Sequence, residues 1–127
     1  MVDELQGRST QRKGDRATAQ ALLSFTAVGW DVSVPFTESA AYDLVVDDGN
    51  GLHRIQCRFT SGRQVNLRRV HSNSKGFVIK KTKPDAYDWL YVLRGDGAEF
   101  LLTTCFVGRN SVTPQPEHRF GAVAESG

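Results

Sequence analysis

The apolar positions change period along the chain. Ala17, Ala21, Leu22, Phe25 and Val28 recur at helical spacing after a polar start. Ser9 or Thr10 can cap the helix, Asp15 suits its early turns, and Gly29 can end it, so a helix over about 11–28 is expected. Trp30, Val32 and Val34 then alternate with Asp31 and Ser33, which predicts a strand closed by Pro35. Residues 36–41 read as a loop. Leu44–Val46 and Leu52–Phe59 form a hairpin around Asp48-Gly49-Asn50-Gly51, because Gly and Asn accept the positive φ of tight turns. Beyond it, Arg63–Val70 reads as a short basic strand and 71–76 as a loop. Phe77–Ile79 is a brief apolar piece, and 80–85 a basic connector. Asp88–Arg94 and Ala98–Thr104 form a second hairpin around Gly95-Asp96-Gly97. Past Arg109, Pro114, Pro116 and Gly121 predict an irregular tail that packs by Phe120. One helix followed by strands makes an α+β domain with a mixed β-sheet and one main N-terminal helix. The expected division is 1–11 as a flexible N-terminus, 12–109 as the domain and 110–127 as the tail.

Composition narrows the class. A chain of 127 residues, 39% hydrophobic and 24% charged, fits one globular domain that can bury a core. No apolar run approaches the roughly 20 residues of a membrane span. The polar start predicts no secretory signal, and an intracellular setting is expected. Cys57 and Cys105 sit in apolar runs and read as buried thiols, without metal spacing. His53, His71 and His118 are scattered and read as surface or loop residues.

Net charge is only +2, but the charge is segregated. Nine Lys/Arg lie between Arg54 and Lys83 (Arg54, Arg58, Arg63, Arg68, Arg69, Lys75, Lys80, Lys81, Lys83), with no Asp or Glu among them. A solvated face usually mixes signs. A block of one sign implies a polyanionic partner. Lys13, Arg63, Arg68, Arg69, Lys75, Lys80, Lys81 and Lys83 are the residues expected to meet it. A solubilising run is the plainer explanation of the lysines taken alone.

Three polar residues interrupt the first hairpin. Asp43 opens an apolar strand, and Gln56 and Arg58 sit two apart on the next, hence on one face. Taken singly, these are a strand-start turn residue, an exposed cross-strand residue and a solvated cation. Taken together, they are a candidate site.

At these residues the chain resembles the PD-(D/E)XK nuclease superfamily. Its small homing-endonuclease-like and Holliday-junction-resolvase-like members carry Gln-x-Lys in place of Glu-x-Lys. The resemblance rests on Lys13-Gly14-Asp15, Gly29-Trp30-Asp31-Val32 with Pro35, Tyr42-Asp43-Leu44-Val45-Val46-Asp47, Arg54-Ile55-Gln56-Cys57-Arg58 and Asp88-Trp89-Leu90, and it runs from about residue 12 to 103. It implies a restriction-endonuclease-like core and a Mg²⁺-dependent phosphodiester hydrolase acting on DNA, with Mn²⁺ as the other cation. It assigns Asp43, Gln56 and the carbonyl of Cys57 to the metal, and Asp43, Gln56 and Arg58 to catalysis.

The chain departs from that pattern twice. Thr18 stands where the family has a helix Glu, and Arg58 where it has Lys. Arginine stays protonated and grips phosphate, whereas lysine can also orient or deprotonate water. A site with one carboxylate holds Mg²⁺ weakly or not at all, and Glu38 could substitute from the preceding loop. A module that binds DNA without cutting it, and a protein-interaction scaffold, are the alternatives. A homo-oligomer, dimer or tetramer, is expected through apolar surface near Trp89–Leu93 or Phe100–Leu102, since a duplex needs two cuts.

Overall fold

The computed structural model describes residues 2–67, 69–73, 76–80 and 85–121, with 2–11, 69–73 and 76–80 described by their backbone. Helix α1, Val2–Ala27, starts well before the expected position near residue 11. Ala17, Ala21 and Phe25, four residues apart, are fully buried and place one stripe of the helix on the sheet. Gly29, at φ +91°, ends it. The Gly29 N–H donates to the Thr26 carbonyl and the Trp30 N–H to the Phe25 carbonyl, both at 3.0 Å. This paired closure needs a left-handed residue at 29, which glycine adopts without a Cβ clash.

The main sheet has six strands: β1 (Asp31–Ser33), β2 (Leu44–Asp47), β3 (Leu52–Thr60), β7 (Trp89–Arg94), β8 (Glu99–Leu102) and β10 (Arg119–Phe120). They lie side by side in that order. All neighbours are antiparallel except β3 and β7, which run parallel with Ile55 beside Trp89 and Thr60 beside Arg94. This is the expected α+β fold with a mixed sheet.

The β2–β3 turn follows local chemistry. Asp48 Oδ1 accepts the N–H groups of Asn50 and Gly51, and Asp47 Oδ1 accepts that of Gly49.

Both sheet faces are covered. Leu44, Val46, Ile55, Cys57, Tyr91 and Leu93 pack under α1, where Trp30 and Phe120 complete an aromatic group around Phe25. On the opposite face, Leu90, Val92, Phe100 and Leu102 lie under Val65, Leu67, Tyr87 and Val112. Val65 belongs to β4 (Val65–Asn66) and Val112 to β9 (Ser111–Val112), which pair with each other. The segment past Arg109 therefore contributes two short strands, β9 and β10, where an irregular tail was expected. Its Phe120 packs as anticipated.

The basic insert also differs from expectation. In place of one strand over Arg63–Val70, there are β4, β5 (Arg69–Asn73) and β6 (Gly76–Lys80). The last two form a separate antiparallel hairpin, with Arg69 opposite Lys80 and Asn73 opposite Gly76. His71, Ser72 and Asn73 have loop-like side chains but join a ladder through their backbone. Within the described residues no helix is long and apolar enough to cross a membrane.

A candidate metal and phosphate corner

The site grows from the place where β2 leaves β3. The Asp43 N–H donates to the Ile55 carbonyl at 2.8 Å, the last backbone rung between the two strands. The next rung is made by a side chain: Asp43 Oδ2 accepts the Cys57 N–H at 2.8 Å. In a strand the N–H and C=O of one residue point to the same side, so the Cys57 carbonyl faces the same edge as the Asp43 carboxylate. The intervening residues turn their backbone the other way, towards β7, as the bond from the Asp88 N–H to the Arg54 carbonyl shows.

Gln56 and Arg58 project from β3 on the face opposite α1, beside Leu90 and Val92, and both are half-buried. The charge of Arg58 reaches Cys57 and the Tyr87 phenol. Asp43 is thus held at the strand edge between the two faces, with Gln56 and Arg58 adjoining it along β3.

Thr18 reaches this corner from α1. It lies close to the Cys57 thiol, and its hydroxyl donates to the Gly14 carbonyl at 3.2 Å. Burial, aided by the negative Asp43, pushes the Cys57 thiol far above its ordinary range, so it stays protonated and unreactive. Neither cysteine forms a disulfide among the described residues.

Asp43, Gln56 and Cys57 offer a carboxylate, an amide and a backbone carbonyl oxygen, the donor types a hard divalent cation takes. Glu38 is exposed in the turn between β1 and β2. Among the described residues no three His, Cys, Asp or Glu gather as a metal-holding group.

Of the expected DNA-contacting residues, Lys13 and Arg63 are exposed. The Lys13 ammonium lies 5.7 Å from the centre of the Phe59 ring, so α1 brings it beside β3. Arg69 and Lys80 face each other across the β5–β6 ladder. Arg68, Lys75, Lys81 and Lys83 lie outside the described residues.

Arg54, counted in the basic block, is engaged within the fold. Its Nη2 donates to Asp88 Oδ1 at 3.1 Å, its Nη1 donates to the Asp85 carbonyl at 2.6 Å, and its backbone N–H donates to Asp88 Oδ2 at 2.8 Å. Asp88 entered the sequence reading only as the start of Asp88-Trp89-Leu90, and no local pattern could have linked it to a residue 34 positions away. The surface expected to join subunits is also used internally: Leu90–Leu93, Phe100 and Leu102 are buried in the single chain's core.

No curated protein matches the chain. Its fold is similar to that of a solved bacterial homing endonuclease, I-Ssp6803I, with a TM-score of 0.67 and 21% identity, over 84% of this chain and 78% of that one. The family model for the PD-(D/E)XK endonuclease matches residues 8–104, a span that holds α1 from its second turn on, the β2–β3 hairpin with Asp43, Gln56 and Arg58, and β7 and β8. The chain belongs to the PD-(D/E)XK endonuclease family.

Proposed function

We propose that the protein is a metal-dependent phosphodiester hydrolase acting on DNA. The observation that carries this reading is the Asp43 carboxylate fixed on the Cys57 N–H at the open edge of β3, with the Cys57 carbonyl on the same edge and Gln56 and Arg58 adjoining. Asp43, Gln56 and the Cys57 carbonyl would hold Mg²⁺ or Mn²⁺. Such an ion, when bound, polarises a phosphate and lowers the pKa of its water. Arg58 keeps its proton and grips a phosphate oxygen beside the scissile bond. The β5–β6 hairpin, with Lys13 and Arg63, follows the phosphate backbone. Because a duplex needs two cuts, the active form is a homo-oligomer that uses surface outside the buried β7 and β8.

Cleavage of supercoiled plasmid and branched DNA in Mg²⁺ or Mn²⁺ tests the proposal. Nicking that is lost in Asp43→Asn supports it. Absence of nicking, or nicking indifferent to that change, overturns it.

A second reading is a DNA-binding module that keeps the fold without hydrolysis. It is favoured by Thr18, whose hydroxyl is bonded to Gly14 where a carboxylate would serve the metal. It predicts salt-sensitive DNA affinity that does not depend on the divalent cation.

A further inference from the structure

Arg58 shares a row with a second arginine. Across the sheet, Arg58 lies beside Val92, Val92 opposite Phe100, and Phe100 opposite Arg119. Residues paired in this way project on one face, so Arg58 and Arg119 stand on the same side, three strands apart. At the usual strand spacing that is roughly 14 Å. One position further along β3 and β7 on this face, Thr60 sits beside Arg94.

Of this row, Phe100 and Arg119 line a cleft of about 460 Å³, together with Thr60, Arg63, Arg94 and Gln115. Two guanidinium groups lie against one ring, with Arg94 5.3 Å and Arg119 5.7 Å from the centre of Phe100. Such stacking orders an arginine before any ligand arrives. Asp96 offsets the charge of Arg94, which it meets at 2.9 Å. Arg63 and Arg119 are exposed, leaving the cleft with excess positive charge. The family model ends at residue 104, before Arg119, and sequence reading assigned nothing to Arg94 or Arg119.

We propose that this cleft is a phosphate-binding subsite that grips a second phosphodiester of the DNA strand whose reacting phosphate sits at Arg58. The proposal rests on the reading of Asp43, Gln56 and Arg58 as the reaction centre. Planar guanidinium forks match phosphate oxygens, and Thr60 and Gln115 add neutral hydrogen-bonding groups. A phosphate held one cleft away fixes the direction of the strand across β3 and carries no base information. The same oxyanion chemistry would accept inorganic phosphate, so the two sources must be told apart.

The test is binding of a fluorescein-labelled 20-base-pair duplex by the full chain, read by anisotropy across a salt series in EDTA. Wild type, Arg63→Ala, Arg119→Lys, Arg119→Gln and Arg63→Ala/Arg119→Ala are compared. Each lost phosphate contact should flatten the slope of log K against log salt by about 0.9. The double variant is expected to lose about one contact and roughly tenfold in affinity at fixed salt, while Arg119→Lys keeps the slope. An unchanged slope in a folded double variant overturns the proposal. If the double variant does not fold, Arg119→Gln decides in its place, because Arg119 is exposed and has no other phosphate contact assigned to it: a slope identical to wild type overturns the proposal, and a flatter one supports it. A parallel amide NMR titration of wild type with inorganic phosphate covers the other source. Shifts at Gly95 and Gln115 that vanish in the double variant, with the duplex slope unaltered, would reassign the cleft to the free anion. Because the readout needs no cleavage, a protein that binds through the cleft yet never cuts DNA would disprove hydrolysis and leave the subsite standing.

Discussion

Asp43 completes the β2–β3 ladder with its side chain, taking the Cys57 N–H at 2.8 Å where the backbone of β2 has already turned away. The same carboxylate therefore has a structural role and a proposed chemical one, and the two can be separated. Asparagine keeps an acceptor oxygen but no charge. Asp43→Asn should melt within a few degrees of wild type and lose about a hundredfold or more in metal-dependent nicking. Asp43→Ala should lose the nicking and also about 1–2 kcal/mol of stability, because the Cys57 N–H is left without its partner. Thermal unfolding and plasmid nicking, measured on both variants, check this.

Thr18 and Arg58 set the strength of the proposed metal site. Adding a carboxylate from α1 and a lysine from β3 should strengthen the hold on a hard cation. In Thr18→Glu/Arg58→Lys the Mg²⁺ concentration for half-maximal nicking should fall by about tenfold. A cost of about 1–2 kcal/mol in stability is expected, since the new carboxylate enters a half-buried position beside Cys57. A metal titration of nicking, with thermal melts alongside, reads both effects. An unmoved metal dependence would count against the assignment of this corner.

Asp88 and Arg54 make the acid side of the stability curve. The Arg54 guanidinium and backbone N–H hold the Asp88 carboxyl below the usual carboxylate range. A depressed folded pKa means the pair's contribution is complete above the unfolded value, near 4. It fades as pH drops through the lower folded value. Both side chains are about a third exposed, at 35% and 38%, so water screens the charge pair to under about 1 kcal/mol. Asp88→Asn should lower the melting temperature at pH 7 by a few degrees, and the difference should shrink as the pH is taken down towards about 2, through the lowered folded value. A series of melts between those pH values tests the sign.

Glu99 is a buried carboxylate that ties three parts of the fold together. Its Oε1 accepts hydrogen bonds from Ser24 of α1 and Tyr91 of β7. Burial and the adjacent Glu99 push the Tyr91 phenol far above its ordinary range, so it remains a donor. Glu99→Ala would strand two buried hydroxyls and open a void, costing about 2–4 kcal/mol. Glu99→Gln keeps an acceptor and should cost less than half as much. Gly121 presses on this group: a Cβ there would lie 2.4 Å from Glu99 Oε2, at a φ of +121°. Gly121→Ala should therefore cost about 1–3 kcal/mol. Urea unfolding of the three variants ranks them.

What could be read before the fold was seen was local. The β2–β3 turn announces itself because Asp47, Asp48, Gly49, Asn50 and Gly51 satisfy their own backbone. The helix was legible only from about residue 11 on, since the apolar period begins at Ala17 and Ser9 or Thr10 reads as a cap, so nothing marks the turns before it. β9 and β10 depend on pairing with the distant β4 and β8, which no propensity of Ser111 or Arg119 encodes, while β5 is a local hairpin partner of β6 whose His71, Ser72 and Asn73 carry loop-like side chains. At the site, spacing placed Gln56 and Arg58 on one face but could not tell that Asp43 would lie in the plane of the sheet on a backbone N–H. Nor could it show that Arg54 would be spent on Asp88, or that β10 would bring Arg119 into the row of Arg58. Each of these joins residues far apart in the chain, and only the sheet order supplies the link.

The β5–β6 hairpin lies wholly within the connection from β3 to its parallel neighbour β7, outside the six-stranded sheet. The ends of that connection are pinned by the pairing of the two strands and by the Arg54–Asp88 clasp. Lengthening such a connection carries only a logarithmic entropy penalty, roughly 0.6 kcal/mol for each doubling. Variation can thus accumulate in the hairpin while Asp43, Gln56 and Arg58 keep their places. What the protein touches and what it does there are free to diverge at different rates, and a grafted hairpin is the natural route to redirect one without rebuilding the other.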